Sequence, residues 1–277
     1  MAGLLHLQNG SDIRGVAVGA GANLTAKECY QIGVAFVEFL AKRLGKEKSE
    51  LKIAVGHDSR ITASVLQRAI FTAFSSAKVR SYNSGLSSTP AMFMSTVLPK
   101  YAMDGAIMLT ASHLPFDRNG LKFFTREGGL EKAEIREILE LAATVVVPAG
   151  VAGGENNTNG EAWANQANIG KAGGNRAGGN AGSCETGENV GSSENVVSSE
   201  NVVSSENVGS CENAGSGNQT LSSAGTELAV AIPLMADYAA YLVEKIRSNL
   251  GEEKPLANLR IIVDAGNGAG GFFASPS

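Results

Sequence analysis

No apolar run in this chain approaches the ~20 residues that a membrane-spanning helix requires, which excludes an integral helical membrane protein. Basic residues are too few for a nucleic-acid binder. The 23 Lys and Arg against 27 Asp and Glu leave a net charge of −4, with no basic face or tail. Cysteine is sparse and odd in number: Cys29, Cys184 and Cys211 are scattered, without a C-x-x-C pair or a His/Cys cluster. A disulfide framework or a zinc module is therefore not expected, and a reducing compartment is the default. Met1 to Gly10 lacks the charged and apolar regions of a secretory signal. What the chain has in excess is glycine, and 16 of its 34 glycines fall between Gly150 and Gly225. That excess divides a chain of 277 residues, a length that accommodates about two domains.

From Gly150 to Thr226 the sequence is built from Gly, Ala, Ser, Asn, Glu and Val, with Trp163 its one aromatic residue. Ile169 and Leu221 are its only larger aliphatics, too little to offset ~1–2 kcal/mol per residue of backbone ordering. A Ser-Ser-Glu-Asn-Val-Val hexapeptide runs through it, placing Glu188, Glu194, Glu200, Glu206 and Glu212 six apart. Such a period can mark a parallel β-helix. A glutamate in every repeat and no large aliphatic for an interior favour a disordered acidic insertion, dispensable for folding.

Before the insertion, helical and strand patterns alternate. Thr25 caps a helix to Leu44 with Gly45 as its stop; Leu51–Val55 is a strand; Thr62 opens a helix through Ile70 and Ala73. Lys78–Tyr82 reads as a strand, Thr89-Pro90 as a cap and first turn, Gly105–Leu109 and Leu121–Phe124 as strands, and Glu131–Ala143 as a helix. The alternation predicts an α/β fold with a mainly parallel mixed sheet and helices on both faces. After the insertion come a helix over Ile232–Leu250, with Leu234, Met235, Tyr238, Tyr241, Leu242 and Ile246 on its apolar face, and a strand over Arg260–Asp264. These lead to the domain expectations: residues 1–149 form a first domain, 150–226 the low-complexity insertion, and 227–277 the opening of an incomplete second α/β domain.

The richest stretch chemically runs from Thr110-Ala111-Ser112-His113-Leu114-Pro115 to Asn119-Gly120-Leu121-Lys122. It puts Ser112 at the carboxyl end of a buried strand, where open α/β sheets place their ligands. A serine hydroxyl needs a base or a charged setting to react, and His113 and Lys122 are the nearby groups able to move a proton. From spacing alone, a plain strand-to-loop connection accounts for these residues equally well. Asp58 and Arg60 read as a turn-stabilising aspartate and a surface arginine, and Asp264 as a loop cap.

The loop resembles the phosphoserine loop of the α-D-phosphohexomutases, the family of phosphoglucomutase, phosphomannomutase and phosphoglucosamine mutase. Three further motifs follow that family's order: Asp12-Ile13-Arg14-Gly15, Gly56-His57-Asp58-Ser59-Arg60 and Val263-Asp264 with Asn267-Gly268-Ala269-Gly270. Leu7–Asp12 and the Leu114-Pro115-Phe116 form of the loop are most similar to plant plastid-type members. The resemblance implies an intramolecular phosphotransferase that interconverts hexose 1-phosphate and hexose 6-phosphate through a phosphoserine and a bisphosphate intermediate. By the same resemblance Ser112 carries the phosphate and binds Mg²⁺ through it, Arg14 forks onto phosphate oxygens, Lys122 moves the proton, and His113 is a supporting donor. Hexose 1,6-bisphosphate would be the activator and a hexose phosphate the substrate.

Departures from the family pattern are Ser11 in place of tyrosine, Leu114 in place of asparagine and His57 in place of arginine. The family's Asp-Gly-Asp-x-Asp-Arg metal loop and its sugar-selecting and distal phosphate-binding loops have no counterpart in the sequence, so the expectation is a truncated, inactive chain. Two other classes compete. Gly266-x-Gly268-x-x-Gly271 after a strand fits a Rossmann-type dinucleotide-binding oxidoreductase, and a non-catalytic truncated product would bind sugar phosphate without turnover. The expected compartment is cytoplasmic by default; a plastid address requires a longer leader than the residues before Leu7 provide.

Overall fold

Apolar residues alternate along the strands and recur at helical spacing between them, and the fold is built on those two periods. The computed structural model describes residues 3–152, 228–251, 253, 254, 257, 259, 260 and 262. The hexapeptide repeat, most of the strand expected over Arg260–Asp264, the glycine turn after it, and Phe272 and Phe273 lie outside the described residues.

In chain order the elements are β1 (Gln8–Asn9), β2 (Asp12–Val16), α1 (Ala26–Leu44), β3 (Lys52–His57), α2 (Ala63–Ser76), β4 (Arg80–Leu86) and α3 (Thr89–Val97). There follow β5 (Gly105–Leu109), β6 (Arg118–Thr125), β7 (Gly128–Gly129), α4 (Lys132–Ala142), α5 (Ala149–Ala152), β8 (Val230–Ala231) and α6 (Leu234–Leu250). One sheet runs β1-β2-β6-β5-β3-β4-β8, with β7 paired to β6. The α/β class and helices on both faces are as expected, and the sheet is mixed. β5, β3, β4 and β8 pair in parallel, whereas β2 and β5 flank β6 antiparallel to both.

Alternation along the central strands sorts the core. Ile53, Val55, Ile107, Leu109, Leu121 and Phe123 face α1, α2 and α4. Ala54, Ala106 and Met108 face α3 and α6 through Met92 and Leu234. Helix α1 forms where expected: Thr25 and Glu28 make a reciprocal capping box, and Gly45 ends the helix in the left-handed region at φ 62°. Phe36 packs tilted on Phe123 with ring centroids 4.9 Å apart.

Several expectations are corrected. Lys78 is not strand: it turns at φ 57° behind α2, and β4 runs from Arg80 to Leu86. Its polar Asn83 and Ser84 mimic a turn but are satisfied within the sheet layer, Asn83 by Gln67 at 3.1 Å and Ser84 by the Val55 carbonyl at 3.2 Å. Ser88, not Thr89, caps α3, accepting from the Ala91 amide at 3.3 Å. Thr62 precedes α2 without capping it, because its hydroxyl accepts from Asn119 at 2.9 Å. The boundary at 149/150 cuts through α5, whose Val151 packs on the core.

Residues 228–250, expected to open a second domain, hold the edge strand of this same sheet and a helix against α3. Val230 and Ala231 pair with Tyr82 and Asn83. On α6, Leu234 is buried, while Leu242 and Ile246 of the expected apolar face are exposed. The first turn of α6 is tied down at Asp237, which accepts from Lys100 at 2.7 Å and from the Tyr101 hydroxyl. Those hydrogen bonds, Lys100 first, hold the Asp237 carboxyl below its ordinary range. Burial, and then the Asp237 carboxylate, push the Tyr101 hydroxyl up.

Two outcomes follow. A depressed folded-state pKa gives Asp237 a contribution that is complete above the ordinary carboxylate value of about 3.9 and lost as pH falls through the lower folded value. Amide protection in α6, relative to intrinsic exchange at the same pH, is therefore expected to fall on acidification below that value, and an Asp237→Asn variant should show less of this pH dependence. In the core, a Cβ at Gly105 would lie 2.6 Å from Leu40 Cδ1 and 2.9 Å from Phe36 Cζ. Gly105→Ala is expected to cost about 1–3 kcal/mol in urea unfolding through overpacking.

Candidate active site

The site is assembled by strand register. Arg14 on β2 lies opposite Gly120 on β6, and Ile13 opposite Leu121, so Asp12 stands opposite Lys122. Alternation then puts Asp12, Arg14 and Lys122 on one face, while Ile13 and Leu121 point into the core. Gly120 makes the close packing here possible. A Cβ there would meet the Ile13 carbonyl oxygen at 2.5 Å, the Thr110 carbonyl oxygen at 2.9 Å and Arg14 Cγ at 3.1 Å.

A single carboxylate oxygen organises the two cations. Asp12 Oδ2 accepts from Arg14 Nη2 at 2.8 Å and from Lys122 Nζ at 2.6 Å. The three side chains are only 12%, 18% and 24% exposed for Asp12, Arg14 and Lys122, so solvent screens these charge-assisted bonds less than it would at the surface. Arg14 Nε is buried with no hydrogen-bond partner among the described residues.

Ser112 sits three residues beyond the end of β5, exposed, with its backbone in the left-handed region at φ 55°. For a non-glycine residue that conformation costs of order 1–2 kcal/mol. Its amide donates to Thr110 Oγ1 at 3.0 Å and its carbonyl accepts from Arg60 Nη2 at 2.8 Å. Thr110 in turn donates to Asp58 Oδ2 at 2.7 Å. Arg60 is not the surface arginine expected: its side chain is 10% exposed and lies beneath the serine loop. The loop's own bonds, Leu114 N–H to Ala111 and Arg118 N–H to Pro115, close its turns at 3.1 Å each. His113 is exposed on this loop.

Residues 6–145 match the family model described as phosphoglucomutase/phosphomannomutase, alpha/beta/alpha domain I. The chain belongs to the phosphoglucomutase/phosphomannomutase family. A phosphoglucosamine mutase of Ruminiclostridium cellulolyticum is 37% identical over 116 residues, which are 42% of this chain and 24% of that protein. A phosphomannomutase of Salmonella muenchen is 28% identical over 132 residues, 48% of this chain and 26% of that protein. A solved phosphoglucomutase/phosphomannomutase family protein from Burkholderia thailandensis aligns at 25% identity and a TM-score of 0.41, over 48% of this chain and 29% of that one. The chain spans about a quarter of the length of the curated relatives it matches.

Within this phosphoglucomutase/phosphomannomutase domain, the sequence-derived candidates thus form two groups. Arg14 and Lys122 are joined through Asp12, and Ser112 and His113 lie on the neighbouring loop. Sequence reasoning assigned no role to Asp12 or Thr110. The i, i+2 spacing of Asp12 and Arg14 on a strand was the available signal for the first. Among the described residues no three His, Cys, Asp or Glu side chains come together. Asp12 is engaged by two cations and Asp58 by Thr110 and the Arg60 amide. The described residues therefore do not themselves fit a magnesium site. No helix among them is long and apolar enough to cross a membrane.

Asp12→Asn removes the charge that both cations share and leaves them part-buried side by side. The expected loss is about 1–3 kcal/mol of unfolding free energy. Inorganic phosphate should raise the melting temperature of this variant more than that of the wild type, by supplying the missing anion. Equal responses in a thermal-shift titration would contradict the pairing.

Proposed function

We propose that Ser112 is the phosphoryl acceptor and donor of a sugar-phosphate mutase, exchanging phosphate with a hexose phosphate. The observation that carries this reading is the juxtaposition of two cations that share one carboxylate oxygen, across the sheet from the end of β5 where an exposed serine begins its loop. In the half-reaction, Ser112 Oγ attacks the phosphorus of a hexose 1,6-bisphosphate. The new Oγ–P bond replaces a sugar O–P bond, the serine proton leaves, and the sugar oxygen departs as a hydroxyl after taking up a proton. Lys122 is the proton carrier in this scheme. Arg14 turns its fork from Asp12 toward phosphate oxygens, which also gives its buried Nε an acceptor. Reversal onto the other sugar hydroxyl interconverts hexose 1-phosphate and hexose 6-phosphate. Charge neutralisation and alignment dominate such transfers, because the migrating group spreads its negative charge over its oxygens.

Incubation with glucose 1,6-bisphosphate, followed by phosphopeptide mapping, is expected to place the label on Ser112. The Ser112→Ala chain should take up none. Lys122→Met is expected to slow the labelling by about 10²–10⁴-fold, the usual share of general acid–base catalysis. Label on another residue with Ser112 unmodified would sink the reading.

A further inference from the structure

We propose that Arg60, Asp58 and Thr110 form a positioning device that sets the backbone of Ser112 for phosphoryl transfer; this rests on the reading of Ser112 as the acceptor. The observation is how completely Arg60 is committed to one loop. Its Nη1 donates to the carbonyls of Pro115 and Arg118 at 2.8 and 2.9 Å, and its Nη2 to those of Ser112 and Leu114, both at 2.8 Å. Four carbonyls from Ser112 to Arg118 converge on one planar guanidinium. Its remaining nitrogen, Nε, lies 3.4 Å from Asp58 Oδ2 as an ion pair and has no hydrogen-bond partner among the described residues.

Asp58 ties this fork to the other end of the serine. Its Oδ1 accepts from the Arg60 amide at 3.0 Å, and its Oδ2 from Thr110 Oγ1 at 2.7 Å. Thr110 Oγ1 accepts from the Ser112 amide at 3.0 Å. The Ser112 peptide is therefore held at its N–H by Thr110 and at its carbonyl by Arg60, and both holders rest on one carboxylate. Asp58 is itself anchored to the sheet, because its amide donates to the Leu109 carbonyl at the end of β5 at 3.0 Å.

A left-handed, exposed serine would relax to an ordinary conformation unless its surroundings fixed it. Here both of its backbone polar groups are engaged, while its hydroxyl has no hydrogen-bond partner among the described residues. The hydroxyl is the one polar group of Ser112 left for chemistry. None of the three device residues need touch the migrating phosphate; they act through the position of Oγ.

The test uses the full chain and two variant pairs. Thr110→Val keeps the shape and removes the hydroxyl that links Asp58 to the Ser112 amide, while Thr110→Ser keeps that hydroxyl. Arg60→Lys keeps the charge, but a lysine ammonium cannot bridge four carbonyls as a planar fork does. The initial rate of Ser112 labelling is followed against glucose 1,6-bisphosphate concentration, with amide exchange read in parallel over residues 110–118. Expected for Thr110→Val and Arg60→Lys are a fall of about 10–100-fold in maximal rate, the scale of an ångström-level misplacement, with an unchanged half-saturating concentration. Exchange should quicken in the loop and not in α1 or α2, and Thr110→Ser should retain the wild-type rate. Wild-type rates and wild-type loop exchange in both disruptive variants would overturn the device. A wild-type chain that takes no phosphate would sink the reading of Ser112; the device is then judged on exchange alone, and unchanged loop exchange overturns it.

Discussion

Strand β6 is inserted antiparallel between β2 and β5, and the site depends on that placement. A purely parallel sheet would carry every loop that follows a strand to one edge, and Lys122 and Arg14 would reach the end of β5 only by chance. Running β6 backward makes residues 118–122 return past the loop that has just left β5, in register with β2. Gly120 is where three backbones crowd together, since any side chain there would collide with carbonyl oxygens on both sides. Its lack of a Cβ is thus a condition of the site as well as of the sheet.

Two aspartates divide the electrostatic work. Asp12 gathers mobile charge: one oxygen holds both a guanidinium and an ammonium, and either bond can be replaced by a phosphate oxygen of the same sign. Asp58 gathers backbone, through Thr110 to the Ser112 amide and through Arg60 to the loop carbonyls. In the proposed transfer, the charge handed over to a ligand lies on the strand face. A charge that must stay fixed belongs beneath the loop, where Arg60 is mostly shielded from water.

Much of this was legible from residue order alone. The cap at Thr25, the stop at Gly45, the apolar strand Gly105–Leu109 and the helix after Glu131 each have a local cause, and each appears with ends near those expected. What local sequence concealed was decided by partners distant in the chain. Asn83 and Ser84 look like a turn until Gln67 and Val55 satisfy them. Thr62 looks like a cap until Asn119, 57 residues on, claims its hydroxyl. The shift from Thr89 to Ser88 at α3 is a different case, since adjacent hydroxyl residues compete for one cap and propensity does not choose between them. At the site, Ser112, Arg14 and Lys122 stand out by motif, but the bridging role of Asp12 exists only in the register between β2 and β6.

Arg14 and Arg60 carry the sharpest distinction. Both are guanidinium groups largely withdrawn from water, and a census of charges would treat them alike. Arg60 donates to four neutral carbonyls of covalently connected backbone. A phosphate drawing it away would have to replace four bonds at once and release the loop that presents the serine. The Nε of each is buried without a hydrogen-bond partner among the described residues, and Arg14 has one hydrogen bond, to a carboxylate. Its fork has an incentive to turn, because an incoming phosphate supplies more acceptors than Asp12 does. Arg60 is thus fixed to the backbone of the loop that carries Ser112, whereas Arg14, with a single carboxylate partner, is the guanidinium freer to meet a phosphate in the proposed transfer.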